Sequence, residues 1–242
     1  ARTPWFSMGA DVGDVNNDGL MDLFVADMAA TTHFKEKATM GNMGSDAWFL
    51  TAGVPRQFMR SALYRNTVTM RLLEASFLAG VSRTDWTWSV RFGDLDNDGR
   101  IDLHVTNGMA RMVNDSDIAG RIAALRAEGK KDEAAALESE YPAQKEANMA
   151  FRNEGDLQFQ PVGARWGLDE VGVSHGAVLA DLDRDGDLDV VVNNLNAPVS
   201  VYRNDGGNGH RLLVELRDAA SANRFGLGAL VTVEAGGGRM TR

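Results

Sequence analysis

Apolar and polar residues alternate with a period of two ahead of three short acidic segments. Phe6, Met8, Ala10 and Val12 precede the first, Trp86, Trp88, Val90 and Phe92 the second, and Val173, His175, Ala177 and Leu179 the third. Period two marks a half-buried strand, whose successive side chains face opposite sides. Behind each segment lies a run of β-formers, at residues 23–26, 103–106 and 190–193. The chain therefore predicts repeated β-hairpins with an acidic tip, and an all-β fold.

A second marker, aromatic-Arg-Asn, recurs at Tyr64-Arg65-Asn66, Phe151-Arg152-Asn153 and Tyr202-Arg203-Asn204. Asn66 to Asp94 and Asn153 to Asp181 are both 28 residues. The repeat reads as marker, strand, a glycine turn at Gly80 or Gly167, strand, acidic segment, strand. In this phasing residues 199–204 open a further unit. What varies is the stretch behind the acidic segment, which leaves two insertions at about 27–61 and 108–149. Ile118, Ile122 and Leu125 share one helix face in the second, Gly129 breaks it, and Asp132 is placed to cap another helix before Pro142. The first insertion carries Met28, Met40, Met43 and Met59 with Phe34, Trp48, Phe49 and Phe58, a composition for a small packed cap or an adaptable binding surface.

The acidic segments share one register. Asp14, Asn16, Asp18, Leu20 and Asp22 stand at positions 1, 3, 5, 7 and 9 of the first, Asp94, Asp96, Asp98, Arg100 and Asp102 of the second, and Asp181, Asp183, Asp185, Asp187 and Asp189 of the third. Side-chain oxygens at 1, 3, 5 and 9 converge on one point, the backbone carbonyl at 7 adds a donor, and Gly19, Gly99 or Gly186 at position 6 permits the sharp turn. Hard oxygen donors in an irregular shell select calcium over zinc, copper or magnesium, with about three ions in all. An Asp-Asn-Gly cluster also makes an ordinary β-turn. Three copies in one register, each crowding carboxylates that repel without a counter-ion, exceed what a turn requires. The segments are not EF-hands: position 12 is Val25, Val105 or Val192 instead of Glu, and the flanks are strands.

On these residues the chain resembles the FG-GAP/VCBS repeat family over about residues 1–207. The resemblance implies blades of an integrin-alpha-like β-propeller, present here in part, with calcium in a hairpin loop. From residue 208 to 242 the tail, with Leu212, Val214 and Leu216 and then Ala229, Val231 and Val233 in strand-like alternation, resembles the start of an ASPIC/UnbV domain, which often follows such repeats in secreted bacterial proteins. A propeller closes with four to eight blades. Three acidic segments therefore imply an arc completed by other copies, another chain or further sequence.

Charge sharpens this picture. The net charge is −9, from 34 acidic and 25 basic residues. Without the twelve segment aspartates, 22 acids face 25 bases, so the acidity is local to the proposed cation sites. No long basic stretch suits nucleic acid, and no apolar run approaches a membrane span. With no cysteine there is no disulfide framework or thiolate chemistry. Gly172-Val-Ser-His-Gly176 fits the nucleophile-elbow pattern but lies inside a predicted strand, and no catalytic constellation emerges. The reading is a non-enzymatic module outside the cell or on its surface, which binds protein or glycan through its insertions, with calcium in a structural role. The alternatives are part of a secreted propeller enzyme acting on polysaccharide or lipid, and a structural surface or filament component.

Overall fold

The computed structural model describes residues 3–39, 57–69, 71–206, 212–235 and 238–241. It is mostly β, built as three antiparallel sheets set side by side. The first holds β2 (Gly9–Gly13), β3 (Asp22–Ala26), β5 (Ala62–Arg65) and β6 (Leu73–Glu74), paired in that order. Two short strands, β1 (Thr3–Pro4) and β4 (Gln57–Phe58), pair in parallel beside it. The second sheet holds β7 (Thr87–Gly93), β8 (Asp102–Asn107), β10 (Met149–Asn153) and β11 (Phe159–Pro161). The third holds β13 (Ser174–Ala180), β14 (Asp189–Asn194) and β15 (Ser200–Tyr202). Among the described residues these sheets form no closed barrel or ring.

The first strands of the sheets are neighbours. Phe92 N–H donates to Asp11 Oδ2 at 2.9 Å, and Arg91 Nε to the Ala177 carbonyl at 2.6 Å. The approach is close enough that a Cβ at Gly9 would lie 2.6 Å from the Trp88 carbonyl oxygen. One apolar core, including Phe24, Leu63, Val90, Leu103 and Phe151, fills the space between sheets one and two. A second, including Leu95, Ala177, Val190 and Val192, lies between sheets two and three. In the first space β11 contributes Phe159 and its approach contributes Leu157. The described third sheet has three strands, and the second space keeps a groove of about 360 Å³ lined by Leu95, Trp166, Leu168, Leu188, Val190 and Tyr202.

This arrangement corrects the phasing of the repeat. The aromatic-Arg-Asn marker is the third strand of the sheet whose acidic hairpin precedes it: Tyr64 pairs with Leu23, Phe151 with Leu103 and Tyr202 with Val190. Residues 199–204 thus belong to the third sheet and do not open another. The alternation ahead of the first acidic segment also buries less than expected. Phe92 packs on Phe24 of the preceding sheet, whereas its counterpart Val12 is 59 % exposed. An alternating stripe is buried only where a neighbouring sheet covers it.

Both insertions leave the sheets at the end opposite the acidic tips, since each hairpin has its tip at one end and Ala26 or Asn107 at the other. The first contains α1 (His33–Thr39). Phe34 is exposed there, and Met40, Met43, Trp48 and Phe49 lie outside the described residues. The second contains α2 (Ser116–Ala127) and α3 (Lys131–Ser139), with Ile122 buried and Gly129 left-handed between them. Asp115 caps α2, and Asp132 sits in the first turn of α3 instead of capping it. A short pair, β9 (Glu146–Ala147) with β12 (Val171–Gly172), returns the chain, and α4 (Gly163–Trp166) bridges to the third sheet. In the tail, β16 (Thr232–Ala235) and β17 (Gly238–Thr241) form a hairpin. Leu212, Val214 and Leu216 are in no strand and are largely exposed, because no sheet edge among the described residues pairs with them.

Candidate metal centre

Each acidic tip folds on its own carboxylates. At position 1, Asp14, Asp94 and Asp181 accept from the backbone N–H groups at positions 5 and 6, over 2.8–3.1 Å. At position 5, Asp18, Asp98 and Asp185 accept from the N–H at position 7. The turn requires a left-handed backbone, with φ +87°, +87° and +92° at Gly19, Gly99 and Gly186, the region where glycine has no steric penalty. Position 4 is left-handed too, at Asn17, Asn97 and Arg184.

Position 9 closes each tip from below. Asp22, Asp102 and Asp189 are essentially fully buried at the start of the second strand of their sheets. One oxygen accepts from the N–H at position 2, in Val15, Leu95 or Leu182. The other accepts from the N–H of the marker asparagine, Asn66, Asn153 or Asn204. Burial nonetheless raises the Asp22 carboxyl to about 6 and the Asp102 carboxyl to about 7. The two backbone donors lower each value, and the neighbouring aspartates at positions 1, 3 or 5 raise it again by repulsion. Such a site favours an added positive charge.

The donor set fits a hard cation. Carboxylate oxygens of Asp94, Asp96 and Asp102 lie within 4.8 Å of one another, as do those of Asp181, Asp183 and Asp185. At position 3, Asn16 Oδ1 and Asp96 Oδ1 are buried acceptors without a hydrogen-bond donor. An unpartnered buried acceptor is costly, and a cation would satisfy it. The first tip has an amide at position 3, and Asn16 Nδ2 donates to Asp18 Oδ2 at 2.9 Å. Asp187, whose backbone supplies position 7 of the third tip, is buried and accepts from Asn97 Nδ2 at 2.6 Å.

The marker arginine was not legible as part of the site. Arg152 bonds the outer oxygens of Asp96 and Asp98, and Arg65 lies 3.4 Å from Asp18. These guanidiniums offset the rim charge, and Asp96 Oδ1 remains buried without a donor. In the third sheet Arg203 pairs with Asp205 instead. The only advance signal was the recurrence of the marker at a constant distance from the next tip.

The remaining sequence candidates have structural surroundings. Ser174 Oγ sits between Asn148 Nδ2 and Asn194 Oδ1 within a sheet, with no strand-to-helix elbow. His175 is half-buried and meets Trp88 edge-on. No helix among the described residues is long and apolar enough to cross a membrane.

The FG-GAP-like repeat family matches residues 129–192, about a quarter of the chain, a segment that includes the whole third tip. Cartilage acidic protein 1 from Xenopus tropicalis is 37 % identical over 76 residues. That match covers 31 % of this chain and 11 % of the relative, so the chain spans only a small part of the curated protein that it resembles.

Proposed function

We propose that this chain forms blades of an integrin-alpha-like β-propeller that holds one calcium ion in each acidic tip and works outside the cell as a binding module. The observation that carries the reading is the repeated site itself: a buried closing carboxylate and a glycine-permitted turn at the same place in all three sheets, with an unpartnered buried oxygen at position 3 of the first two tips. The FG-GAP-like match over the third tip supports it. Calcium would cancel carboxylate repulsion and pin each hairpin. Its role in this reading is structural.

The binding surface in this reading is the opposite end, where the two insertions meet. Ser116 Oγ donates to the Lys37 carbonyl at 2.9 Å, joining the root of α2 to α1. Protein or glycan is the ligand class assigned to this end, and further blades, from another copy or chain, complete the ring. Calorimetric titration with calcium, after exhaustive chelation, tests the metal assignment. The reading expects about three calcium ions per chain and much weaker magnesium binding. Saturation by zinc in preference to calcium, or no binding of either, would reject it.

A further inference from the structure

We infer that the three acidic tips load calcium as one coupled unit, because a single hydrogen-bond chain threads the closing carboxylate of each. This rests on the calcium reading above and adds communication between the sites.

The chain can be followed atom by atom. Asn66 N–H donates to Asp22 Oδ1 at 2.7 Å, and Val15 N–H to Asp22 Oδ2 at 3.0 Å. The Val15 carbonyl accepts from Asn153 Nδ2, at 2.8 Å, reaching over from the second sheet. Asn153 N–H donates in turn to Asp102 Oδ1 at 2.9 Å, and Leu95 N–H to Asp102 Oδ2 at 2.9 Å. The Leu95 carbonyl then accepts from Asn204 Nδ2 at 2.8 Å, and Asn204 N–H donates to Asp189 Oδ1 at 2.8 Å. A parallel strut runs along the outside: Asn17 Nδ2 to the Gly99 carbonyl at 3.0 Å, and Asn97 Nδ2 to Asp187 Oδ1 at 2.6 Å.

Each link has a physical reason to transmit. Val15, Asn153 and Asp102 are buried, so water cannot replace the bonds between them. Bonds to a carboxylate are charge-assisted, so each closing aspartate holds the residues that donate to it firmly, and those residues carry the next link. A cation that fixes Asp102 fixes Asn153 on one side and the Leu95 peptide on the other. Asn153 then holds the Val15 carbonyl, and the N–H of the same residue, one peptide unit back, orients Asp22 for the next cation. Asparagine suits this place because its amide supplies a donor at the required reach. Aspartate has the reach but no donor, and alanine has neither. Asn153 and Asn204 are therefore positioning residues, and the coupling they carry is reciprocal.

Hydrogen exchange on the full chain, read separately on peptides covering each tip during a calcium titration, tests the inference. The wild type is expected to protect all three tips at one calcium midpoint, more steeply than independent sites allow. Asn153→Ala should move the first tip's midpoint away from the other two by fivefold or more, the lower range of measured couplings. Asn204→Ala should separate the third tip instead. If burial prevents the Asn153 variant from folding, Asn97→Gly, which keeps the left-handed backbone free of strain, cuts only the half-buried strut and should split the second and third tips by a smaller factor. Wild-type midpoints spread over tenfold with single-site steepness would overturn the coupling. So would variants that shift all three tips equally, as a purely structural defect does. Absence of calcium-dependent protection at every tip would overturn the calcium reading itself, which distinguishes the two failures.

Discussion

Lys35 Nζ lies 2.7 Å from Asp85 Oδ2 and also bonds Glu146, so one amine fastens the first insertion to the second sheet and to the end of the second insertion. Asp85 Oδ1 accepts from Thr31 N–H at 2.8 Å and Thr31 Oγ1 at 2.9 Å. Both carboxylates are buried, and Asp85 is left-handed at φ +63°. Burial lowers the Lys35 amine, but its bonds to Asp85 and Glu146 outweigh this and leave it raised. Lys35→Met should leave two buried carboxylates facing each other. The expected cost is about 2 kcal/mol, below the usual range for a buried pair because the lysine is a third exposed. Thermal melting should show a drop of about 5 °C. Limited proteolysis should cut the insertion faster, and an unchanged cutting pattern would argue against the fastening.

The tips and the interior should respond oppositely to pH. His104 is buried, neither ring nitrogen has a hydrogen-bond partner, and burial, aided by the Arg91 charge, lowers its pKa to about 4. An unfolded histidine takes up a proton near 6.5, so this contribution is full above that pH and is lost as pH falls toward 4. The loss is on the order of 3 kcal/mol. His104→Leu should flatten the acid limb of the stability curve between pH 6.5 and 4. A limb of unchanged slope would contradict this.

Asp22 and Asp102 have the reverse sign. Their folded values, about 6 and about 7, lie above the ordinary 3.8, so without metal their contribution is full below 3.8 and is lost as pH rises through 6 to 7. Calcium should therefore release protons on binding at pH 6 and scarcely any at pH 8. Calorimetry at pH 6 in buffers of different ionisation enthalpy measures the release directly. Equal heats in all buffers would contradict it.

Two glycines should give opposite results on substitution. Gly19 has φ +87°, and the nearest atom to an added Cβ is 3.6 Å away, so Gly19→Ala tests backbone strain alone. It should destabilise by about 1 kcal/mol and weaken calcium binding. Gly120 lies inside α2 with nothing within 4 Å of an added Cβ, and Gly120→Ala should stabilise by about 0.8 kcal/mol. Urea unfolding of both variants checks the pair.

The acidic hairpin tips were legible because their determinants are local: carboxylate spacing, turn glycine and flanking strands all lie within a few residues. The repeat was legible as a period, but its phase was not. Tyr64 and Asn66 lie 28 residues or more ahead of the next tip, and only strand pairing reveals that they belong to the tip behind them. Nothing in the sequence marks Asn153 as a link between tips, because its partner Val15 is 138 residues away and offers only a carbonyl, which any residue has. The Lys35 cluster draws one residue from each of three separate segments, a juxtaposition that no periodicity signals. In the tail, alternation at Leu212, Val214 and Leu216 suggested a strand, but a strand also needs an edge to pair with.

In the proposed reading, calcium at the tips holds the fold together. Thermal melting of the full chain in calcium and in chelator, with elemental analysis of both samples, tests it most directly. At a hundredfold excess over its dissociation constant, one site adds about 2.7 kcal/mol by mass action, and three sites add more. The account predicts a midpoint at least 5 °C higher in calcium, with about three equivalents of calcium bound before chelation and none after. An identical midpoint in metal-free and calcium-loaded protein would contradict it.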